Sequence, residues 1–208
     1  MKRFSLLSVL ALALCAIATA NIIPTNSGIT ASGANYVWAY TATLAADQEV
    51  FPGNANPAPS GNPTPGQGTS VDAFFTIYDF AGYVTGTCAG PTGWACEVQL
   101  VGITPSDVLP TDSGSIVNIT FYYTGSAAIN PSDLGNTVNL GTFTATSTFS
   151  NAVQVYYTTR AESNQTGTIT DNIGSTQAPS GVPEPVTFGL VGLGLIGLLG
   201  VVRARVKS

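Results

Sequence analysis

Tyr36-Val37-Trp38-Ala39-Tyr40-Thr41-Ala42-Thr43-Leu44 is the stretch that decides the fold class. In an extended chain Tyr36, Trp38, Tyr40, Ala42 and Leu44 share one face, and Val37, Ala39, Thr41 and Thr43 share the other. That is the alternation of a strand with one side against a core. Working outward, the same period returns in 116–124, where Val117, Ile119, Phe121 and Tyr123 oppose Ile116, Asn118, Thr120 and Tyr122. The runs 71–80, 138–150 and 152–161 are rich in Thr, Val, Tyr and Phe, the residues that suit a pleated surface. Segments 82–88 and 94–101 read as a strand pair around a turn-rich connection. No sustained helical stripe occurs from Asn21 to Val182. Short strands separated by Gly, Pro, Asn and Asp predict an all-β fold, an antiparallel β-sandwich of about seven or eight strands. Its expected core includes Trp38, Phe75, Val98, Ile119, Phe121 and Val155.

The 208 residues do not all belong to that domain. Lys2-Arg3, an apolar run from Leu6 to Ile17, and Ala18-Thr19-Ala20 have the order of a signal peptide over 1–20. The h-region is too short to span a bilayer, and the small-x-small site predicts cleavage between Ala20 and Asn21. Lipidation at Cys15 would need a small residue before the cysteine, and Leu14 is not one. The ectodomain is expected over 21–173, interrupted by an extended loop at 52–70 that holds Pro52, Pro57, Pro59, Pro63 and Pro65 with no charge and no aromatic. The small, polar segment 174–182 reads as a linker to the segment 183–208.

Charge and missing residue types exclude several functions. From Asn21 to Val182 ten acids stand against one base, Arg160, a net charge near −9. Without clustered cations there is no nucleic-acid partner to expect, because nothing would displace phosphate counterions. The chain has no histidine, so no Ser-His or Cys-His nucleophile can be assembled. Asp112-Ser113-Gly114 resembles an aspartic-protease triplet in letters, but it follows Leu109-Pro110-Thr111 and reads as a turn. No catalytic residue is assigned, and the expectation is a protein that is not an enzyme. Cys88 and Cys96 enclose Ala-Gly-Pro-Thr-Gly-Trp-Ala, a turn-rich spacing that predicts a disulfide, with two free thiols as the alternative. No cofactor or metal is expected. A structural calcium is the alternative, for which Asp47, Glu49, Asp107, Asp112, Asp171 and Asn172 are the loop oxygens to inspect.

The C-terminal segment carries the functional reading. Pro183-Glu184-Pro185 precedes an uncharged stretch, 186–202, which as a helix would be about 25 Å long, near the lower limit for a single transmembrane helix. Arg203, Arg205 and Lys207 form a basic stop that should stay cytoplasmic. Gly189, Gly192, Gly194, Gly197 and Gly200 keep the stretch thin, but no two lie four apart, so the usual glycine dimer motif is missing. The two prolines fix φ and remove amide donors, leaving Glu184 as an anion on a stiff extended strip at the outer membrane boundary.

Those three features in that order resemble the PEP-CTERM sorting signal of Gram-negative bacteria. The resemblance implies processing by a membrane enzyme of the exosortase type after passage through the export translocon. The chain would be anchored in the inner membrane by its C-terminal helix until processing, and would then reside at the cell surface or in the extracellular matrix. It also implies association with exopolysaccharide and biofilm, with polysaccharide as a partner. The phrases 75–83 and 104–112 are similar to members of this class that have no assigned activity. The expected function is a sorted surface or matrix protein with a structural or adhesive domain. One alternative is a carbohydrate-binding module, with Trp38, Trp94, Tyr122, Tyr123, Tyr156 and Tyr157 as the aromatics to inspect. The other is a polysaccharide hydrolase that uses paired carboxylates.

Overall fold

The computed structural model describes residues 21–51, 73–105, 108–131 and 136–181. The expected signal peptide 1–20, the proline-rich loop 52–70 and the tail 183–208 with its span 186–202 lie outside the described residues. Within them no helix is long and apolar enough to cross a membrane. The fold is all-β, and every strand pairing is antiparallel.

In chain order the strands are β1 (Ile22–Ser32), β2 (Asn35–Leu44), β3 (Gln48–Glu49), β4 (Phe74–Ile77), β5 (Trp94–Gln99), β6 (Asn118–Tyr123), β7 (Val138–Ser147), β8 (Ala152–Ser163) and β9 (Ile169–Pro179). One sheet runs β1-β2-β7. The other holds six strands, with β8 flanked on one side by β9 and on the other by β4 and the short β3, then β6 and β5 beyond β4. The two sheets face each other as a sandwich. Trp38, Tyr40, Ala42 and Leu44 of β2 and Phe143 of β7 meet Phe75 of β4 and Ile119 and Phe121 of β6 in one core. Phe75 is the hub: its ring lies 5.0 Å from Phe121, stacked, and 4.9 Å from Phe143, edge-on. The buried Tyr40 hydroxyl finds its partner across the sandwich, where Oη donates to the Gln177 carbonyl at 2.9 Å.

Of the six expected core residues, Trp38, Phe75, Ile119, Phe121 and Val155 are buried. Val98 is only partly covered, because β5 is the edge of its sheet and has one neighbour. Two expectations about elements need correction. Segments 82–88 and 94–101 do not pair with each other. Val84 and Ala89 bond to Thr146 and Thr144 of β7, while β5 pairs with β6 in the opposite sheet. Residues 174–179 are not linker but the second half of β9, with Thr176 and Ala178 buried. Strand β1 lies in a stretch to which sequence analysis assigned no element.

Candidate functional site

The most unusual backbone in the described residues is where β4 ends. Asp79 has φ of 52°, the one non-glycine residue there with positive φ. Asp is among the few side chains that tolerate this region, and such positions are worth testing for function. The turn is held from both sides. Asp79 N–H donates to Asn118 Oδ1 at 2.8 Å, and Asp79 Oδ1 accepts from Ser113 N–H at 2.9 Å. Asn118 Nδ2 in turn donates to Asp112 Oδ1 at 2.9 Å, and Asp112 Oδ2 accepts from Gly102 N–H at 3.1 Å.

Tyr78, the residue before this corner, fastens the same excursion further along. Its hydroxyl meets the Ile103 carbonyl and Thr104 Oγ1, each at 2.8 Å, and Thr158 Oγ1 at 3.1 Å. A Cβ on Gly102 would fall 2.5 Å from the Tyr78 ring, so only glycine lets the chain lie flat there. Burial pushes the Tyr78 phenol up to about 12, against its threonine partners, so it stays neutral as a hydrogen-bond donor. Phe74 and Ile103 form a small second core under this flap.

Beside Asp79 lies a cleft of about 420 Å³, walled by Ile116, Val153, Val155, Pro179 and Gly181. Burial raises the Asp79 carboxyl above the ordinary carboxylate value. The charge of Asp112 adds to this, and the Ser113 amide opposes it. A raised acid in an apolar cleft is a reasonable place to look for acid–base chemistry. The partner acid, however, has both oxygens engaged by Gly102 and Asn118. A glycosidase pair needs two carboxyls that each reach the substrate. Asp79, Asn118 and Asp112 form a hydrogen-bonded clamp that ties Gly102 and Ser113 to the end of β4. Ser113 sits in a turn, its carbonyl accepting from Ile116 N–H at 3.0 Å, as the triplet's context predicted.

The other candidates are dispersed. Arg160 forms a two-pronged ion pair with Asp171, Nε to Oδ1 at 2.7 Å and Nη2 to Oδ2 at 2.9 Å, and lies 5.9 Å from the Phe74 ring centre. Glu49 Oε2 accepts from Asn130 Nδ2 at 2.8 Å, and Asn172 Oδ1 from the following amide at 2.8 Å. Asp107 is outside the described residues. Among those described, no three His, Cys, Asp or Glu side chains gather as they would around an ion. Of the aromatics, Trp38, Trp94, Tyr123 and Tyr157 are buried and Tyr122 is partly covered. Tyr156 is the exposed ring of the set, at 45%.

Cys88 and Cys96 are joined as a disulfide, with Cα atoms 6.2 Å apart. Asn21 is buried at the start of β1. Its side-chain Nδ2 donates to the Thr170 carbonyl, and its backbone carbonyl accepts from Ala45 N–H at 3.0 Å. Ala20, Pro183, Glu184, Pro185, Arg203, Arg205 and Lys207 lie outside the described residues. Sequence reasoning singled out neither Asp79 nor Asn118. A lone Asp three residues before a glycine is the only local signal, and many turns share it.

Compared with protein-family models, curated proteins and solved structures, the chain matches none.

Proposed function

We propose that this is an exported surface or extracellular-matrix protein whose sandwich is a structural or adhesive body and whose tail is a sorting signal. In this reading residues 1–20 are a signal peptide and 186–202 a transmembrane helix. Pro183-Glu184-Pro185 is the motif a membrane enzyme of the exosortase type acts on, and Arg203, Arg205 and Lys207 hold the orientation until it does. The observation that carries the reading is the order of those segments around a disulfide-bonded domain. A bridge between Cys88 and Cys96 suits an oxidising compartment outside the cytoplasm. Strand β1 opens at Ile22, directly after the expected cleavage site. The marginal length of the stretch fits a temporary anchor, and the cost of drawing arginine into hydrocarbon, several kcal/mol, keeps the basic end in place.

Two variants test this in a host with the matching enzyme. Replacing Pro183, Glu184 and Pro185 with alanine leaves the stretch and its charges intact, so insertion continues. Processing stops, and full-length chain accumulates in the membrane fraction. Deleting 186–208 releases the domain unsorted. An alanine variant that is processed and sorted like the parent would reduce the tail to an ordinary anchor.

A further inference from the structure

On one flank of the sandwich the outer strands of the two sheets, β1 and β9, come together. Asn21 Nδ2 donates to the Thr170 carbonyl there, and a cleft of about 240 Å³ lies between the strands. Its polar wall is Thr25 and Asn26 of β1, Ser175, Thr176 and Gln177 of β9, and Gln154 of β8. These are amides and hydroxyls without exception, and Ile23 and Pro24 complete the lining with apolar surface. No charged side chain lines the cleft, although ten acids are spread over 21–182.

Much of this hydrogen-bonding capacity is unspent. Gln154 Nε2 donates to Ser175 Oγ at 2.8 Å, which leaves the Gln154 side-chain carbonyl and the Ser175 O–H free to bond outward. Gln177 gives its backbone carbonyl to Tyr40, and its side-chain amide has no partner among the described residues. Thr176 is 6% exposed and its Oγ1 also lacks a partner, a desolvation cost that a ligand hydroxyl can offset. Tyr156 stands beside the cleft. It is two residues from Gln154 on β8 and opposite Ser175 on β9, while Gln154 is opposite Gln177. Side chains two apart on a strand, or directly opposite across a pair, share a face. Gln154, Tyr156, Ser175 and Gln177 therefore form one outward patch, about 7 Å along the strands and 5 Å across. All four are exposed, Tyr156 at 45%.

We propose that this cleft, with the ring of Tyr156 at its side, binds a neutral saccharide chain. A side-chain amide presents an acceptor and two donors in one plane, and so meets adjacent sugar hydroxyls, each of which both donates and accepts. The C–H face of a sugar ring covers the electron-rich face of an aromatic ring without asking for a charge. Charge then decides within the class. A net charge near −9 over 21–182 repels an acidic glycan, and the uncharged cleft offers it no counterion. A neutral chain escapes both penalties. One ring and a few amides bind each sugar weakly, and many copies on one surface strengthen the contact by avidity. The proposal names the partner of the adhesive body and rests on that reading for its setting, while binding is measured apart from sorting.

The test is native affinity electrophoresis of the full chain, exported by a bacterial host and held in a polyoxyethylene detergent, since a sugar-headed one would compete. Gels carry dextran, galactomannan or xyloglucan as neutral probes, or alginate as an anionic one. At least one neutral probe should retard the chain, and alginate should not. Tyr156→Ala, and Gln154→Ala combined with Gln177→Ala, should each raise the dissociation constant for that probe at least about tenfold. Tyr156→Phe keeps the stacking face and should stay within about twofold of the parent. Leu109→Ala, 85% exposed outside the cleft, should match the parent. The replaced side chains are exposed, so every variant should melt with the parent, which separates lost binding from lost fold. A chain unretarded by all three neutral probes would overturn the proposal. So would retardation that survives Tyr156→Ala and the glutamine pair, an equal loss in Leu109→Ala, or equal retardation by alginate. Binding by a chain that is never processed at Pro183-Glu184-Pro185 would sink the sorting assignment and leave the cleft as a saccharide site.

Discussion

At Asp79 one side chain satisfies three demands: positive φ, an acceptor for Ser113 N–H, and a place beside both Asp112 and an apolar cleft. Only the first two need its shape, and the third makes its charge unfavourable. Its carboxyl is raised in the fold, so the folded state binds the proton more tightly than the unfolded one. Above the folded pKa the ionised group destabilises the domain, and that penalty is relieved as pH falls through the raised value. Asp79→Asn keeps the acceptor and tolerates the backbone. It should stabilise at neutral pH by less than about 1 kcal/mol, since the group is still largely solvated and screened. The gain over the parent should disappear in acid, as urea melts across pH will report. Asp79→Ala loses the acceptor and strains the turn, and should cost about 1–3 kcal/mol at every pH. Phe121 behaves differently, because its contribution is burial alone. Its ring is fully buried between Phe75 and Phe143, at 5.0 and 5.1 Å. Phe121→Ala should cost about 3–5 kcal/mol in denaturant melts. A loss below about 1 kcal/mol would mean the site collapses freely.

At the scale of elements, the disulfide links two pieces that local sequence presents as a hairpin. Ala89 exchanges both backbone bonds with Thr144 of β7, at 2.9 and 2.8 Å, and Cys96 sits opposite Phe121 of β6. The bridge therefore spans from one sheet to the other at the open side of the sandwich. Closing a loop of this length stabilises by about 2–3 kcal/mol through the unfolded chain. The double variant Cys88→Ser, Cys96→Ser should lose about that much and remain folded, because β5 keeps its full ladder with β6. Urea midpoints of the oxidised and double-substituted proteins will measure it. Two free thiols in exported parent protein would contradict the bridge.

For the molecule as a whole, β9 decides where the domain ends. It pairs with β8 along eleven register positions from Ala152–Pro179 to Glu162–Ile169, and its Gln177 carbonyl receives Tyr40 Oη from the facing sheet. A chain stopped after residue 173 should fail to fold, since half of β8 then loses its neighbour and the core is opened beside Val155. A chain stopped after residue 181 should unfold cooperatively. Circular dichroism and proteolysis of the two truncations separate these outcomes. Folding of the shorter chain would restore 174–182 as a linker.

Alternation along the chain determined that the protein is β, and which residues of β2 and β6 face inward. Side-chain direction in a strand is a local property with period two, so Trp38, Tyr40, Ile119 and Phe121 were legible without a partner. The cysteine pair was legible for the same reason, since its spacing is short. Partner and layer were decided by tertiary structure. β1 has five β-branched residues but is interrupted by Pro24 and Gly28 and shows no clean alternation, and residues 174–179 of β9 read as polar linker. Both are strands because β2 and β8 offer them complete rows of hydrogen-bonding groups and a core to cover. The Asp79 clamp needed three segments brought together from 79, 102–113 and 118, which no local pattern encodes. Contacts such as Tyr40 to Gln177, 137 residues apart, depend on which surfaces remain to be buried once every strand has found its neighbour.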